Sequence, residues 1–394
     1  MKDILIISNY YPPEKGAAAN RIEQLALKLH QNNYAVSVLC PLGNYPKGAL
    51  FPEYKGRFTV VENRQNIAVK RLWIYPSVSK NIFKRTLSVL SFSTMLFCTL
   101  LFKKTPQKVI VQSPPLLLSF VAVLALWITR KTILLNVSDL WPTAAIELKA
   151  IKEGGFSHKI SLLFERFIYS KATLILGQSN EIISHIHQQY PEKKCYLYRN
   201  FPNHQIKEIK ITSNLNEPIK LFYAGLLGVA QGVYELCQKI KLSGLHMELH
   251  IFGDGAEKTE IETYIENNPL KKIIFHGMLE RHIVHEKIAS FDIAVIPLQT
   301  RIYGSVPSKI FEYGSLGFPM LYFGGGEGEA IVRENQLGWV ADVGDFESLN
   351  EALCDISSTG KIKIQQMKRT VYQTAQKEFD LEQQIKKMIT EKIL

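Results

Sequence analysis

Short apolar runs rich in β-branched residues alternate with longer stretches of helical periodicity along the first half of the chain. The runs predict strands at residues 4–8, 36–40, 67–73, 109–112, 132–137, 173–176 and 195–198. The longer stretches predict helices at residues 20–31, 84–102, 116–130, 158–170 and 181–189. Such alternation indicates a parallel sheet covered by helices on both faces.

The same alternation restarts after a polar stretch over residues 203–218. Strands are predicted at 219–224, 247–252, 272–276, 292–297 and 319–323, and helices near 231–242, 256–267, 280–290, 307–316, 346–357 and 361–394. We therefore predict an α/β protein with a first domain over 1–203, a linker over 204–218, a second domain over 219–375 and a C-terminal helix over 376–394. Packing of that helix on the first domain is one option. The carboxyl ends of the two sheets are expected to face a cleft, where such folds bind ligands.

Charge is distributed unevenly along the chain. Residues 1–200 hold 26 Lys and Arg against 11 Asp and Glu, whereas residues 201–394 hold 21 against 25. No acidic residue lies between Glu62 and Asp139, an interval with eleven basic residues and two uncharged apolar stretches, 86–102 and 116–129. Three interpretations of this region stay open: helices in the core of the first domain, an amphipathic surface on an anionic bilayer, or a transmembrane span.

Other classes fit the composition less well. The basic residues flank aliphatic helices without an aromatic stacking platform, so we expect no nucleic-acid partner. The five cysteines are scattered without the spacing of a zinc site, which is typical of buried thiols in a reducing compartment. The apolar run at 4–8 is too short for a signal peptide. We expect a cytoplasmic protein.

The stretch 306–319 contains the strongest candidate site. Pro307 suits the first position of a helix, whose free N–H groups and positive dipole end favour a phosphate. Lys309 adds a full charge in the same turn, and Glu312 follows on the same face. The pair could hold a nucleotide, with the lysine on the phosphates and the carboxylate on the ribose hydroxyls. An ordinary amphipathic helix with a surface Lys–Glu pair is the alternative.

Other motifs follow predicted strands. Residues 9–21 read NYYPPEKGAAANR, and the small residues from Gly16 onward allow a ligand to approach the backbone. Residues 138–142 read SDLWP, in which Asp139 could orient an acceptor hydroxyl, take its proton, or cap the following turn. Residues 223–232 read YAGLLGVAQG, and residues 252–255 read FGDG, a tight turn.

Taken together, these motifs resemble the GT4 family of retaining glycosyltransferases, whose GT-B fold has two Rossmann-like domains. The pattern is most similar to the O-antigen and capsule branch, which includes N-acetyl-L-fucosamine transferases. The resemblance implies that Gly16, Ala17, Gly225, Gly228, Gly253, Gly255, Lys309 and Glu312 contact the nucleotide-sugar donor. It also implies that Asp139 faces the acceptor and that Lys309 acts catalytically on the pyrophosphate.

Three positions depart from the family pattern. Many relatives carry an arginine and a lysine at the positions of Leu226 and Gln231, so phosphate binding would depend on backbone N–H groups near Gly228 and on Lys309. The first glutamate of the family's Glu-x7-Glu element falls at Gly304. Replacement carboxylates follow in GGGEGE, residues 324–329, as Glu327 and Glu329, the latter at the start of an apparent helix.

The resemblance implies transfer of an N-acetylated amino or deoxyamino sugar from a UDP-sugar to a lipid-pyrophosphate-linked glycan, with no cofactor and no metal. The chain would be peripheral on the inner face of the cytoplasmic membrane, held by its basic apolar region. Two alternatives stay open. One is a UDP-sugar 2-epimerase of the same fold, and the other is an inactive sugar-nucleotide-binding partner in a membrane complex.

Overall fold

A computed structural model describes residues 2–14, 16–77, 81–202 and 216–394, apart from the side chains of Ile82 and Arg281. The chain forms two compact units. The first consists of Met1–Asn200, Ile302–Ser305 and Glu382–Leu394, and the second of Phe201–Arg301 and Val306–Leu381. Most of the predicted linker falls on residues 203–215, outside the described residues. Each unit thus contains more than one segment of the chain, whereas the predicted domains were continuous in sequence.

The first unit contains an eight-stranded sheet. Its strands are β1 (Lys2–Ile7), β2 (Tyr34–Pro41), β3 (Thr59–Arg64), β4 (Ile67–Leu72), β5 (Lys108–Ser113), β6 (Thr132–Val137), β7 (Leu174–Gly177) and β8 (Cys195–Leu197). The spatial order is β3-β4-β2-β1-β5-β6-β7-β8, and every pairing is parallel except the antiparallel pair β3–β4. The direction of winding reverses between β1 and β5, where the carboxyl ends of α/β sheets bind ligands.

Helices cover both faces of this sheet, as predicted. They are α1 (Ala17–Gln31), α2 (Ile82–Phe102), α3 (Leu116–Ile128), α4 (Thr143–Glu147), α5 (Phe156–Lys171) and α6 (Asn180–Gln189). The helix predicted at residue 20 begins three residues earlier, because Gly16 is the N-cap of α1. The short edge strand β3 and the single-turn helix α4 were not predicted. β3 alternates exposed and half-buried positions, so it lacks a buried apolar run.

The two apolar helices α2 and α3 differ in burial. Seven of the thirteen residues of α3 are buried, so α3 is a core helix. By contrast, only 28% of the most apolar window of α2 is buried. Phe92, Leu96 and Leu100 of α2 face the core, whereas Phe83 and Leu87 are 81% and 50% exposed. The prediction that these helices are buried in the core is thus right for α3. For α2 it holds only for the side that carries Phe92, Leu96 and Leu100. The stretch Phe83–Phe102, with mean hydropathy 1.5, is long and apolar enough to cross a membrane.

The second unit contains a six-stranded parallel sheet. Its strands are β9 (Ile219–Leu226), β10 (Met247–Asp254), β11 (Ile273–Gly277), β12 (Ile293–Pro297), β13 (Met320–Phe323) and β14 (Gly338–Ala341), in the order β11-β10-β9-β12-β13-β14. Its helices are α7 (Val233–Lys239), α8 (Lys258–Asn267), α9 (Arg281–Ile288), α10 (Ser308–Ser315), α11 (Glu327–Glu334) and α12 (Phe346–Glu378). Here the winding reverses between β9 and β12, so the carboxyl end of β9 lies at the switch point.

The last part of the chain differs from its prediction. α12 continues to Glu378 with a kink at Gly360, and a separate helix α13 (Leu381–Thr390) follows. Residues from Glu382 onward belong to the first unit, where Nζ of Lys28 lies 2.9 Å from Oε2 of Glu382. Gln384 also accepts a hydrogen bond from the backbone N–H of Arg199 at 3.0 Å. The end of the chain is therefore part of the framework of the first unit.

Candidate functional site

Helix α10 places Lys309 at the carboxyl end of β9. The helix is anchored by Ile310, Phe311 and Tyr313, which are buried. Pro307 is its N-cap with an extended backbone, φ −61° and ψ 121°, so it precedes the first helical residue instead of being that residue. Lys309 and Glu312 lie on the less buried side of the helix, as the spacing predicted.

The Lys309 ammonium group has an aromatic and carbonyl environment. Its Nζ donates to the carbonyl oxygen of Ala224 and lies 3.3 Å from the hydroxyl oxygen of Tyr313. The same Nζ lies 5.2 Å and 5.4 Å from the ring centroids of Tyr223 and Tyr313, within the range of a cation–π contact. The phenol of Tyr313 also donates to Ala224 at 2.9 Å. Strand β9 and helix α10 therefore hold a cation at the switch point of the second sheet. Helical spacing puts Tyr313 on the same face as Lys309, four residues later, although the sequence analysis did not predict it as a site residue.

Gly225 leaves the space that this lysine occupies. A Cβ atom at residue 225 would lie 2.5 Å from Nζ of Lys309 and 2.9 Å from its Cε. The structure thus brings together two residues that the resemblance assigned to the donor. The position of the Lys309 side chain also explains why residue 225 is a glycine without reference to any ligand.

Backbone packing requires the two glycines at the end of β10, Gly253 within the strand and Gly255 directly after it. A Cβ at Gly253 would lie 1.9 Å from the carbonyl oxygen of Gly225, and one at Gly255 would lie 2.4 Å from that of Leu227. The turns after β9 and β10 are also joined by a hydrogen bond from Leu227 N–H to the Asp254 carbonyl at 2.9 Å. Nucleotide contact by Gly253 and Gly255 stays a prediction.

The turn after β9 closes around Gly228. Its carbonyl accepts hydrogen bonds from the N–H groups of Gln231 and Gly232 at 3.0 Å and 3.2 Å. Leu226 is 64% exposed, so the family's arginine position is occupied by an apolar side chain at the surface. The turn therefore presents no cation of its own at either departing position.

Glu312 has a histidine neighbour that the sequence did not suggest. Nε2 of His285, on α9, lies 3.4 Å from Oε1 of Glu312. Both side chains are partly exposed, at 29% and 23%. His285 is 27 residues away in sequence, and no local spacing links the two. The pair places a polar hydrogen-bonding group beside the carboxylate that was assigned to a ribose.

The two candidate replacement carboxylates have different environments. Helix α11 begins at Glu327, not at Glu329 as predicted, and the carboxylate of Glu327 is buried. Glu329 is half-exposed, and its Oε1 accepts a hydrogen bond from Nε of Arg333 at 2.9 Å. Glu329 is therefore engaged by a neighbour on its own helix. The side chain of Arg301 lies against the preceding turn, since a Cβ at Gly326 would be 2.7 Å from its Nε.

Gly304 cannot be exchanged for the family's glutamate without rearrangement. Its φ is +83°, and a Cβ there would lie 3.0 Å from Ile182 and 3.1 Å from Leu140. Its carbonyl accepts a hydrogen bond from Oγ of Ser179 at 2.7 Å, and its N–H donates to Glu181 at 2.7 Å. The residue belongs to the first unit, so this position is part of a packed loop of that unit.

In the first unit, Gly16 and Ala17 form the start of α1 beside a small pocket. The pocket has a volume of about 240 Å³ and is lined by Tyr10, Glu14, Gly16–Ala19 and Tyr45. The Glu14 carboxylate is buried at its base and accepts hydrogen bonds from the N–H groups of Asn44, Tyr45 and Tyr11 at 3.0, 3.1 and 3.3 Å. Burial raises the pKa of Glu14, and these N–H groups oppose the rise.

Asp139 is the second residue after β6, at the carboxyl edge of the first sheet, and is half-buried. The cap of α4 is Pro142, with no side-chain hydrogen bond, so Asp139 does not cap that helix. Burial raises the pKa of Asp139, and the charge of the Arg21 guanidinium group opposes this rise. Among the described residues no group of three or more His, Cys, Asp or Glu could hold a metal ion.

The fold that carries these sites is GT-B, with two Rossmann-like α/β domains. A sucrose-phosphate synthase from Thermosynechococcus elongatus aligns with a TM-score of 0.72 and 12% identity, covering 100% of this chain and 99% of that one. HepE from Anabaena, solved in complex with UDP, aligns with a TM-score of 0.67 and 14% identity, covering 99% of this chain and 100% of that one.

Sequence comparison identifies the second unit more closely. Residues 218–359 match the family model described as "Glycosyl transferases group 1". Amylovoran biosynthesis glycosyltransferase AmsK from Erwinia amylovora is 22% identical over 156 residues, an alignment that spans 38% of each protein. Residues 218–359 of this GT-B chain are therefore similar to the glycosyl transferases group 1 family.

Proposed function

We propose that this protein is a retaining GT4 glycosyltransferase of the O-antigen and capsule branch. It transfers an N-acetylated amino or deoxyamino sugar from a UDP-sugar to a lipid-pyrophosphate-linked glycan in surface polysaccharide synthesis. The observation that carries the proposal is the Lys309 ammonium group at the switch point of a group 1 domain. A UDP complex of HepE, which has the same fold, supports the choice of nucleotide.

Lys309 supplies the charge that the reaction requires. The bond between the anomeric carbon and the donor phosphate breaks, a glycosidic bond forms, and negative charge develops on the leaving diphosphate. A cation fixed in place before the reaction stabilises that charge without reorganisation. Lys309 would exchange its carbonyl partner for a phosphate oxygen, and Glu312 would accept hydrogen bonds from the ribose hydroxyls. No metal is needed in this scheme.

Asp139 orients the acceptor in the proposed reaction. As a carboxylate it accepts a hydrogen bond from the acceptor hydroxyl and directs its lone pair at the anomeric carbon. As the glycosidic bond forms, the hydroxyl proton leaves this hydrogen bond and passes to the departing phosphate, so no dedicated nucleophile is required. This role needs the ionised form of Asp139, which gives activity a lower pH limit.

A nucleotide screen followed by a product assay tests the proposal. We expect UDP, but not GDP, ADP or dTDP, to raise the melting temperature of the purified protein equally with and without Mg²⁺. A preference for GDP would contradict the UDP assignment, and no shift with any nucleotide would favour an inactive partner. Incubation with the soluble UDP-sugar alone should leave it intact. Formation of an epimerised nucleotide-sugar would contradict the transferase activity and favour a UDP-sugar 2-epimerase.

We also propose that the first unit docks on the inner face of the cytoplasmic membrane through α2 and α5. Their outward apolar side chains include Phe83, Leu87, Leu90, Phe156 and Leu163, with exposures of 81%, 50%, 44%, 80% and 62%. Basic residues flank α2 at both ends, namely Lys84, Arg85, Lys103 and Lys104. Apolar side chains between cations match an anionic bilayer surface, and a lipid-linked acceptor would be reached from there.

A further inference from the structure

Arg21 connects helix α1 to the strand ends beside Asp139. Its Nη1 donates a hydrogen bond to Oε1 of Gln178 at 2.8 Å. Gln178 directly follows β7, and its backbone N–H donates to the carbonyl of Val137, the last residue of β6, at 3.1 Å. Asp139 is two residues beyond that carbonyl. The guanidinium group is thus fixed to the strand that neighbours the one leading into Asp139.

The guanidinium group is held in an unusual way for a cation. Nε of Arg21 is buried and has no hydrogen-bond partner among the described residues. A buried donor left without a partner costs about 1–3 kcal/mol. Burial lowers the pKa of Arg21, and the charge of Asp139 is the main effect that opposes this shift. The position is therefore costly for folding.

Few other ionisable groups act on this pair. Ser138, the residue before Asp139, is uncharged, and its hydroxyl donates to the carbonyl of Ser113 at 3.1 Å. Tyr198, which directly follows β8, lies near Arg21, and because burial raises the pKa of its phenol it is neutral at physiological pH. The charge that stabilises the Asp139 carboxylate thus comes from Arg21.

We propose that Arg21 is a positioning residue that keeps Asp139 ionised and directed at the acceptor hydroxyl. Gln178 holds the guanidinium group in the required place. This inference rests on the proposed function of Asp139 and adds an electrostatic partner to it. A nearby opposite charge favours the ionised form of a carboxylate, and the Arg21 charge lowers the pKa of Asp139 in this way. Loss of Arg21 should therefore shift the acid limb of the activity profile upward.

The test is the pH dependence of kcat/KM for the acceptor in Arg21→Gln and Arg21→Lys. We expect the acid limb to move up by about one pH unit in Arg21→Gln and to return most of the way in Arg21→Lys, which restores the charge. Lys28→Gln removes a charge from the same helix and should leave the limb in place. A limb in Arg21→Gln that coincides with wild type would overturn the proposal.

A second experiment measures the pKa of Asp139 without requiring catalytic activity. Carboxyl ¹³C NMR titration of the folded protein, with Asp139→Asn to assign the signal, gives the pKa of Asp139 directly in wild type and in Arg21→Lys and Gln178→Leu. We expect a higher pKa in Gln178→Leu, because the guanidinium group loses its anchor. If Asp139 has the same pKa in wild type and in Gln178→Leu, Gln178 does not position the guanidinium group. If the protein binds UDP and the NMR shift appears but no sugar is transferred, the proposed reaction fails and the Arg21–Asp139 coupling stands.

Discussion

The Arg71 guanidinium group is fully buried in the first unit, and its Nε donates a hydrogen bond to Oε1 of Glu62 at 2.8 Å. Arg71 lies in β4 and Glu62 in the antiparallel edge strand β3. The remaining guanidinium nitrogens reach the carbonyl oxygens of Pro41 at 3.3 Å and of Pro12. One ion pair thus connects the edge strand to the loop before α1, which lines the pocket at Gly16.

Glu62→Gln tests that connection. Burial opposes ionisation of Glu62, but hydrogen bonds and charge from Arg71 and Arg64 outweigh it and lower its pKa. The stabilisation from the carboxylate is therefore present above its unfolded pKa of about 4.5 and is lost as the pH falls through the lower folded value. Urea unfolding at pH 7 should show a loss of about 1.5–3 kcal/mol, the range for hydrogen bonds to charged groups. Glu53→Gln, at an exposed site, should lose almost nothing, and equal losses in the two variants would contradict the prediction.

Lys309→Met should weaken UDP binding 10- to 100-fold, as expected from the loss of one charge-assisted hydrogen bond. Isothermal titration calorimetry with UDP measures the change. Lys258→Met removes a surface lysine of the same unit, paired with Glu262 at 3.9 Å, and should leave affinity unchanged. Gly225→Ala should also weaken UDP binding, because its Cβ displaces the Lys309 ammonium group. Wild-type affinity in Lys309→Met would place the diphosphate elsewhere.

Gly304→Ala should destabilise the first unit by about 1–3 kcal/mol, from a strained φ and from overpacking against Ile182 and Leu140. Gly154→Ala is the matched control, since its φ is +71° but nothing lies within 4 Å of the added Cβ. The difference between the two variants in chemical denaturation isolates the packing contribution. An identical loss in both would mean that the backbone alone requires glycine at residue 304.

A histidine pair makes the second unit sensitive to acid. Nδ1 of His250 lies 2.9 Å from Nε2 of His276, and burial lowers the pKa of both rings. Below about pH 6.5 the unfolded chain binds protons that the folded rings resist, so stability should decrease as the pH falls from there. Melting temperatures between pH 7.5 and 5 should decrease less in His276→Phe. The control His282→Gln, at an exposed site, should follow wild type, and a parallel decrease in all three proteins would exclude the pair as the cause.

If the first unit docks on a membrane as proposed, its binding to lipid vesicles should depend on the charge of the lipid and on the exposed side chains of α2. Flotation with vesicles containing anionic phospholipid should recover the protein, and recovery should decrease with added salt. The double variant Leu87→Asn/Leu90→Asn should bind at least tenfold more weakly, since each leucine contributes apolar surface to the bilayer. Leu270→Asn, which alters a 92% exposed leucine of the second unit, is the control. Equal recovery on neutral and anionic vesicles would remove the electrostatic argument.

The sequence predicted the fold best where short runs of apolar residues form buried strands. The central strands, such as β6 at Thr132–Val137, are apolar and buried almost throughout, so period and composition were sufficient. The edge strand β3 pairs with β4, the next strand in sequence, but its own residues are too polar to indicate a strand. Gly304 illustrates another limit, because its neighbours Ile182 and Leu140 are more than a hundred residues away in sequence.

Parts of the candidate site were predictable for a similar reason. Lys309 and Glu312 share a face because helical spacing places them there. The Ala224 carbonyl that binds Lys309 lies 85 residues earlier, and Gln178 lies 157 residues after Arg21. Such contacts depend on which strands become neighbours, so no local pattern could have identified them.

The first unit is built from three segments of the chain, and this constrains the order in which the protein can mature during synthesis. The second unit is complete once Leu381 has left the ribosome, whereas the first still lacks Glu382–Leu394. Until that segment arrives, Lys28 has no Glu382 and the backbone of Arg199 has no Gln384 to bind. Although domains usually fold in the order of their synthesis, here the unit that is begun first gains its last contacts only after the chain of the second has been made.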